Sequence, residues 1–184
     1  MGRKQTIDRD QVLAVAEAIV SEQGAAALTI DAVAKAAGIS KGGVQSCFGT
    51  KEAMISAMLD RWLQDYAAKF DQLLKAQGDD LAARIGAHVS LSLGGDSAGT
   101  ERAAALVAAL VQSPEQLEAV RAWYEERFAG LFAAKGSGRT LRVALLATEG
   151  AVFLRHFGLA ALSEREWNTL HDDVAALLSK PSTD

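Results

Sequence analysis

The chain has 184 residues, 49% of them hydrophobic and 23% charged, with a formal net charge of -4. That supplies one good core and a small appended domain, and it excludes the disordered and fibrous classes. The single cysteine, Cys47, excludes an intramolecular disulfide and fits a reducing compartment.

No apolar segment follows Met1-Gly2-Arg3-Lys4, and no uninterrupted apolar run reaches about 18 residues, so a cytoplasmic location with no membrane partner is expected. The charge divides unevenly. Residues 1–51 hold six Lys/Arg and five Asp/Glu, for +1, and the remaining 133 hold 13 and 18, for -5. A local basic patch is what binds phosphate, so an acidic remainder is compatible with nucleic-acid binding.

Arg3 and Lys4 form a basic arm ahead of the first helix. Asp8 and Gln11 have capping-box spacing, Val12, Val15, Ala16, Ile19 and Val20 make an apolar stripe at helical spacing, and Gly24 ends the helix. Thr29 then caps a short helix, Gly38 supplies a sharp turn, and Ser40 caps a second helix from Lys41. Two short helices joined through a glycine turn are the helix-turn-helix layout, in which the second helix enters the major groove. Val33, Ala37, Ile39, Val44 and Phe48 supply a small core, while Lys35, Lys41, Gln45 and Ser46 are polar on the outer face.

Lys51 begins a long helix expected to run to about Ala76, with Met54, Met58, Trp62, Tyr66 and Phe70 recurring every four residues. After Gly78-Asp79 a helix from about Asp80 to Leu93 carries Leu81, Ile85, Val89 and Leu93. A loop, Gly94 to Gly99, precedes an alanine-rich helix from about Thr100 to Val111. Ser113-Pro114 starts a further helix, expected to reach about Lys135, with Leu117, Val120, Trp123, Tyr124, Phe128, Leu131 and Phe132. Gly136-Ser137-Gly138 separates it from two last helices, about Arg139 to Phe157 and Ser163 to Ser179. The first of these is apolar almost all round and needs burial all round; the second opens with a Ser163-x-x-Glu166 capping box. The pair is expected to meet its counterparts in a second subunit as a four-helix interface, giving a homodimer. No alternating β pattern appears, so the fold class is all-α.

From about Asp8 to Met54 the chain resembles the N-terminal domain of TetR-family transcriptional regulators. Ala34, Gly38, Ile39, Ser40, Gly42, Phe48 and the turn Gly49-Thr50-Lys51-Glu52 carry the resemblance, with Ala14, Ala18, Gly24 and Leu28-Thr29 upstream. It implies a helix-turn-helix DNA-binding domain over residues 1–51, followed by a helical ligand-binding and dimerisation domain over residues 52–184. It also implies a homodimeric repressor that releases operator DNA when a small molecule enters the C-terminal domain. Two positions depart from the family's habit. Gln45 stands where an aromatic is common, and Cys47 where histidine or tyrosine is common.

The residues expected to meet near-palindromic double-stranded operator DNA are Thr29, Ser40, Lys41, Gly42, Gly43, Gln45, Ser46 and Lys51. Backbone N-H groups at Lys41, Gly42 and Gly43 open the second helix and suit a phosphate, and the two glycines permit close approach of the DNA backbone. Thr29, Lys41 and Lys51 are phosphate contacts; Gln45 and Ser46 read bases. Trp62, Tyr66, His88, Trp123 and Phe153 are the expected ligand-pocket residues. His88, His156 and His171 lack metal-ligand spacing, no Gly-x-Ser-x-Gly elbow occurs, and neither cofactor nor metal is expected. The competing classes are a helical small-molecule-binding protein or enzyme whose head does not read DNA, and an architectural DNA protein that binds many sequences alike.

Overall fold

The computed structural model describes residues 7–94 and 117–179. Among them are eight α-helices and no strand: α1 (Arg9–Gln23), α2 (Ile30–Ala37), α3 (Lys41–Phe48), α4 (Lys51–Gln77), α5 (Leu81–Leu93), α6 (Glu118–Phe128), α7 (Gly138–His156) and α8 (Glu164–Ser179). The all-α class follows. The arm at Arg3-Lys4, the loop beyond Gly94, the helix Thr100 to Val111 and the Ser113-Pro114 start lie outside the described residues. The described chain falls into two compact units, residues 7–62 with Leu117, and residues 63–94 with 118–179.

In the first unit the caps act as their side chains dictate. Asp8 accepts from the N-H groups of Asp10 and Gln11 (3.0 and 3.3 Å), and Thr29 from Ala32 (3.0 Å). At the end of α2, Gly38 takes the left-handed conformation (φ 67°), and Ile39 N-H reaches back to the Ala34 carbonyl at 3.0 Å. That conformation costs a side chain dearly and glycine little, which is why the corner falls there. α1 packs on α2, and α2 on α3. Their shared core holds Val12, Leu13, Ala16, Ile19, Val20, Leu28, Val33, Ala34, Val44 and Phe48, with Met54, Ile55, Met58 and Leu59 from the start of α4. Arg61 ties that part of α4 to α1 through Asp10 (3.0 Å) and Glu17 (3.5 Å).

In the second unit α5 packs against α6, α7 and α8, and α7 against α8. Tyr66 and Phe70 continue the four-residue stripe of α4 into this core, beside Ile85, Val89, Leu93, Leu131, Leu145, Trp167 and Val174. Trp167 Nε1 donates to the Leu93 carbonyl at 2.8 Å, fixing α8 on the end of α5. The capping box of α8 forms as its spacing predicts: Glu166 Oε2 accepts from Ser163 N-H (2.8 Å), and Ser163 Oγ from Glu166 N-H (3.3 Å).

One boundary differs from the sequence expectation. The helix expected to reach Lys135 ends at Phe128, because Gly130 turns the chain with φ 80°. The carbonyls released there, those of Leu131 and Ala134, accept from Arg142 Nη1 at 3.0 and 2.7 Å. Leu131 is consequently buried, whereas Phe132 points out.

α7 is buried on one side only. Leu141, Ala144, Leu145, Thr148 and Ala151 face the unit, while Val143, Leu146, Phe153 and Leu154, and Phe157 just past the helix end, are each at least 43% exposed.

Candidate DNA-binding helix and ligand pocket

α3 is short, so its geometry depends on what holds its ends. Ser40 Oγ accepts the Gly43 N-H at 3.1 Å, and Val44 and Phe48 bury the inner face. At the other end Arg9 lies over the Phe48 ring (4.8 Å) and donates to the Cys47 carbonyl at 3.4 Å. An arginine at the carbonyl end of a helix also suits its dipole. Lys41, Gly42, Gln45 and Ser46 are all exposed. Their spacing puts them on adjacent turns of one solvent face.

Lys41 is not idle: its Nζ pairs with Asp31 at 3.1 Å, both side chains more than half exposed. Such a pair is weak, about 0–1 kcal/mol, so an incoming phosphate can replace Asp31 at little cost. Thr29 is exposed, but its hydroxyl is engaged as the cap of α2; Ser40 is likewise engaged as the cap of α3. Lys51 opens α4 and is partly buried.

The two glycines of α3 differ. A Cβ on Gly42 would touch nothing closer than Ser40 Oγ at 4.0 Å, but one on Gly43 would lie 2.8 Å from Ile7 Cδ1. Gly43 is buried and its N-H is taken by Ser40, so the close approach it permits is that of Ile7. The N-H groups of Lys41 and Gly42 remain at the helix start.

In the second unit Tyr66, His88 and Trp123 come together. The Tyr66 and Trp123 rings meet edge-on at 5.3 Å, and His88 lies within 5.2 to 6.4 Å of Tyr66, Trp123, Tyr124 and Phe128. His88 bridges two partners: Nδ1 is 2.8 Å from the Tyr66 hydroxyl, and Nε2 is 2.6 Å from Glu149 Oε1. The Tyr66 hydroxyl also lies 3.4 Å from Ser92 Oγ. Burial works against the charge on Glu149, but hydrogen bonds from His88 and Tyr124 and the attraction of His88 outweigh it, holding the carboxyl below its usual range. Burial raises both phenols, Tyr66 and Tyr124, far above theirs, so each keeps its proton. Nε2-H donates to the carboxylate, and Nδ1 shares a hydrogen bond with the Tyr66 hydroxyl whose direction follows the ring's tautomer.

Beside this cluster is a shallow groove of about 280 Å³, lined by Leu63, Gln64 and Ala67 of α4 and Ala122, Trp123, Glu126 and Arg127 of α6. Of the remaining pocket residues, Trp62 belongs to the first unit and is partly buried. The structure does not bring Phe153 to the cluster: it is 51% exposed and stacks on Phe157 at 4.4 Å. Glu149, Tyr124, Arg9 and Asp31 are the residues that sequence reasoning missed. Glu149 alone left a signal, as the one acidic residue of α7.

Among the described residues no group of three or more His, Cys, Asp or Glu is placed to hold a metal ion. No described helix is long and apolar enough to cross a membrane.

Residues 12–58 match the family "Bacterial regulatory proteins, tetR family", and residues 82–179 match "Tetracyclin repressor-like, C-terminal domain". The chain belongs to the tetR family. It is a ligand-responsive DNA-binding transcriptional regulator, of a class that is generally not enzymatic. No curated protein matches it by sequence.

Solved structures share the fold. A transcriptional regulator from Rhodococcus sp. Rha1 is 21% identical with a TM-score of 0.73, covering 94% of this chain and 96% of that one. The multidrug binding protein EbrR complexed with imidazole is 21% identical with a TM-score of 0.65 over 100% of both chains. The fatty acid degradation regulator FadR from Bacillus halodurans is 16% identical with a TM-score of 0.63, covering 93% and 97%.

Proposed function

We propose that this protein is a cytoplasmic homodimeric repressor whose paired α3 helices read a near-palindromic operator and leave it when a small molecule enters the C-terminal domain. The division is a DNA-binding domain over residues 1–51 and a ligand-binding and dimerisation domain over residues 52–184. Two α3 helices related by a twofold axis enter successive major grooves about 34 Å apart. The reading is carried by one observation: Lys41, Gly42, Gln45 and Ser46 share the solvent face of a helix that is capped at one end by Ser40 and braced at the other by Arg9.

Gln45 and Ser46 read base edges, and Lys41, Lys51 and the N-H groups of Lys41 and Gly42 take phosphates, with Thr29 beside them. The uncovered stripe of α7, Val143, Leu146, Phe153, Leu154 and Phe157, supports the dimer. Its spacing of three and four residues suits a bundle crossing, and at Gly150, within it, a side chain would meet nothing within 4 Å. The aromatic cluster and its groove support a small-molecule site, as does the fold shared with a multidrug binding protein. A ligand shifts the DNA equilibrium only by its preference between two states, so hundredfold release needs about 2.7 kcal/mol.

A gel shift on the intergenic DNA upstream of the protein's own gene, at two salt concentrations, tests the reading. Sequence-selective retardation that weakens with salt supports it. No retardation at low salt favours a carrier or enzyme, and equal retardation of unrelated DNA favours an architectural protein.

A further inference from the structure

Among the described residues, two side chains that line the groove carry buried hydrogen-bond donors with no acceptor: the indole N-H of Trp123 and the Nε-H of Arg127. Trp123 is 8% exposed and the Arg127 side chain 12%. Buried donors are nearly always paired, since an unpaired one has lost its water and gained nothing in return. These two belong to neighbouring side chains, for the Arg127 guanidinium lies over the Trp123 ring at 4.6 Å. It also lies 5.6 Å from the Phe70 ring, and its Nη1 pairs with Glu126 at 2.9 Å, so the group is positioned.

From this we propose that the groove takes a small apolar carboxylate whose two oxygens accept from Trp123 Nε1 and Arg127 Nε. The proposal deepens, and rests on, the reading of the C-terminal domain as a small-molecule site. Leu63, Ala67 and Ala122 give the apolar wall, and about 280 Å³ suits roughly a two-ring molecule.

The charge selects against a cation. Both open groups are donors, so an ammonium would leave them unpaired and face the guanidinium. The one acid among the groove's lining residues, Glu126, is already engaged by Arg127. A carboxylate, by contrast, offers one oxygen to each donor and a charge opposite to that of Arg127. Neither nitrogen is open to solvent, so a ligand reaches them only by parting the Arg127–Trp123 stack. Trp123 therefore reports directly on occupancy.

The test uses the full-length chain with 15N-labelled tryptophan, whose indole N-H signals come from Trp62, Trp123 and Trp167, the Trp123 signal being assigned by Trp123→Phe. The probes are 2-naphthoate and 2-naphthylmethylammonium. Saturable downfield movement of the Trp123 indole proton with 2-naphthoate alone, and on the order of tenfold weaker binding in Arg127→Met, is the expected result. A Trp123 signal that stays still, or moves equally with the ammonium, overturns the proposal, as does undiminished binding in Arg127→Met. The same samples are run on operator DNA. Release by the ammonium but not by the naphthoate rejects the carboxylate and keeps the small-molecule reading, whereas a chain that never binds DNA rejects the regulatory reading itself.

Discussion

His88 Nε2 lies 2.6 Å from Glu149 Oε1, a bond between α5 and α7 across 61 residues of sequence. On its other side the same ring meets Tyr66 of α4, so three helices of one unit are joined through a single imidazole. Glu149→Gln leaves the shape intact and removes the charge that His88 and Tyr124 hold. It should lower stability to urea by ~1–2 kcal/mol at pH 7. The folded carboxyl sits below its ordinary value of 4.5, so its stabilising contribution is complete above that pH and is lost as pH falls through the folded value. The gap between variant and parent should therefore close below about pH 4.5. A gap that persists unchanged under acid would place the effect in packing rather than charge.

Gly42 and Gly43 should respond differently to alanine. At exposed, open Gly42 the substitution should stabilise α3 by ~0.5–1 kcal/mol while weakening DNA binding through crowding of the backbone. At Gly43 the new methyl would stand 2.8 Å from Ile7 Cδ1, so the helix gain is reduced by whatever it costs that side-chain end to move aside. Thermal denaturation and fluorescence anisotropy on a DNA duplex read the two effects separately. Equal DNA affinity in Gly42→Ala and the parent would remove this helix start from the interface.

Gln45 and Lys51 separate base reading from phosphate binding. Gln45→Ala should cost ~1–3 kcal/mol on the preferred operator and little on scrambled DNA, relaxing preference at one step of each half-site. Lys51→Ala should weaken both alike and lower the salt slope by about 1 for each phosphate that the lysine neutralises. Equal losses on both duplexes for the glutamine variant would show that it does not read bases.

The elements legible from sequence are those whose ends carry a local chemical mark. Asp8, Thr29 and Ser40 each cap the helix that their position predicts, and Gly38 turns where only glycine turns easily. The end of α6 was not legible, because Leu131 and Phe132 continue its apolar spacing past Gly130. The group that donates to the carbonyls of Leu131 and Ala134, Arg142, lies in the next helix. Around the candidate pocket, aromatic residues were visible but their faces were not. α7 carries apolar residues on nearly every side, so spacing alone does not say that Phe153 turns outward while Thr148 and Ala151 turn in. Ile7 against Gly43 and Asp31 beside Lys41 are tertiary pairings, for which a single sequence carries no periodic signal.

The exposed stripe of α7 gives a test of assembly. Leu146→Glu and Phe153→Glu, at positions 58% and 51% exposed in the single chain, should leave the fold intact and convert a dimer to a monomer in light scattering. Both should also lose tight operator binding, since one α3 reads only half a site. Dimers that survive both substitutions would move the interface elsewhere.

The most direct measurement is a hydroxyl-radical footprint of the parent protein on the DNA upstream of its own gene. Two protected patches on one face of the duplex, centred about one helical turn apart and matching the halves of a near-palindrome, are predicted. They should vanish when Gln45 and Ser46 are both changed to alanine. Uniform protection without a repeat, or a footprint indifferent to those two side chains, would contradict the assignment of α3 as the reading helix.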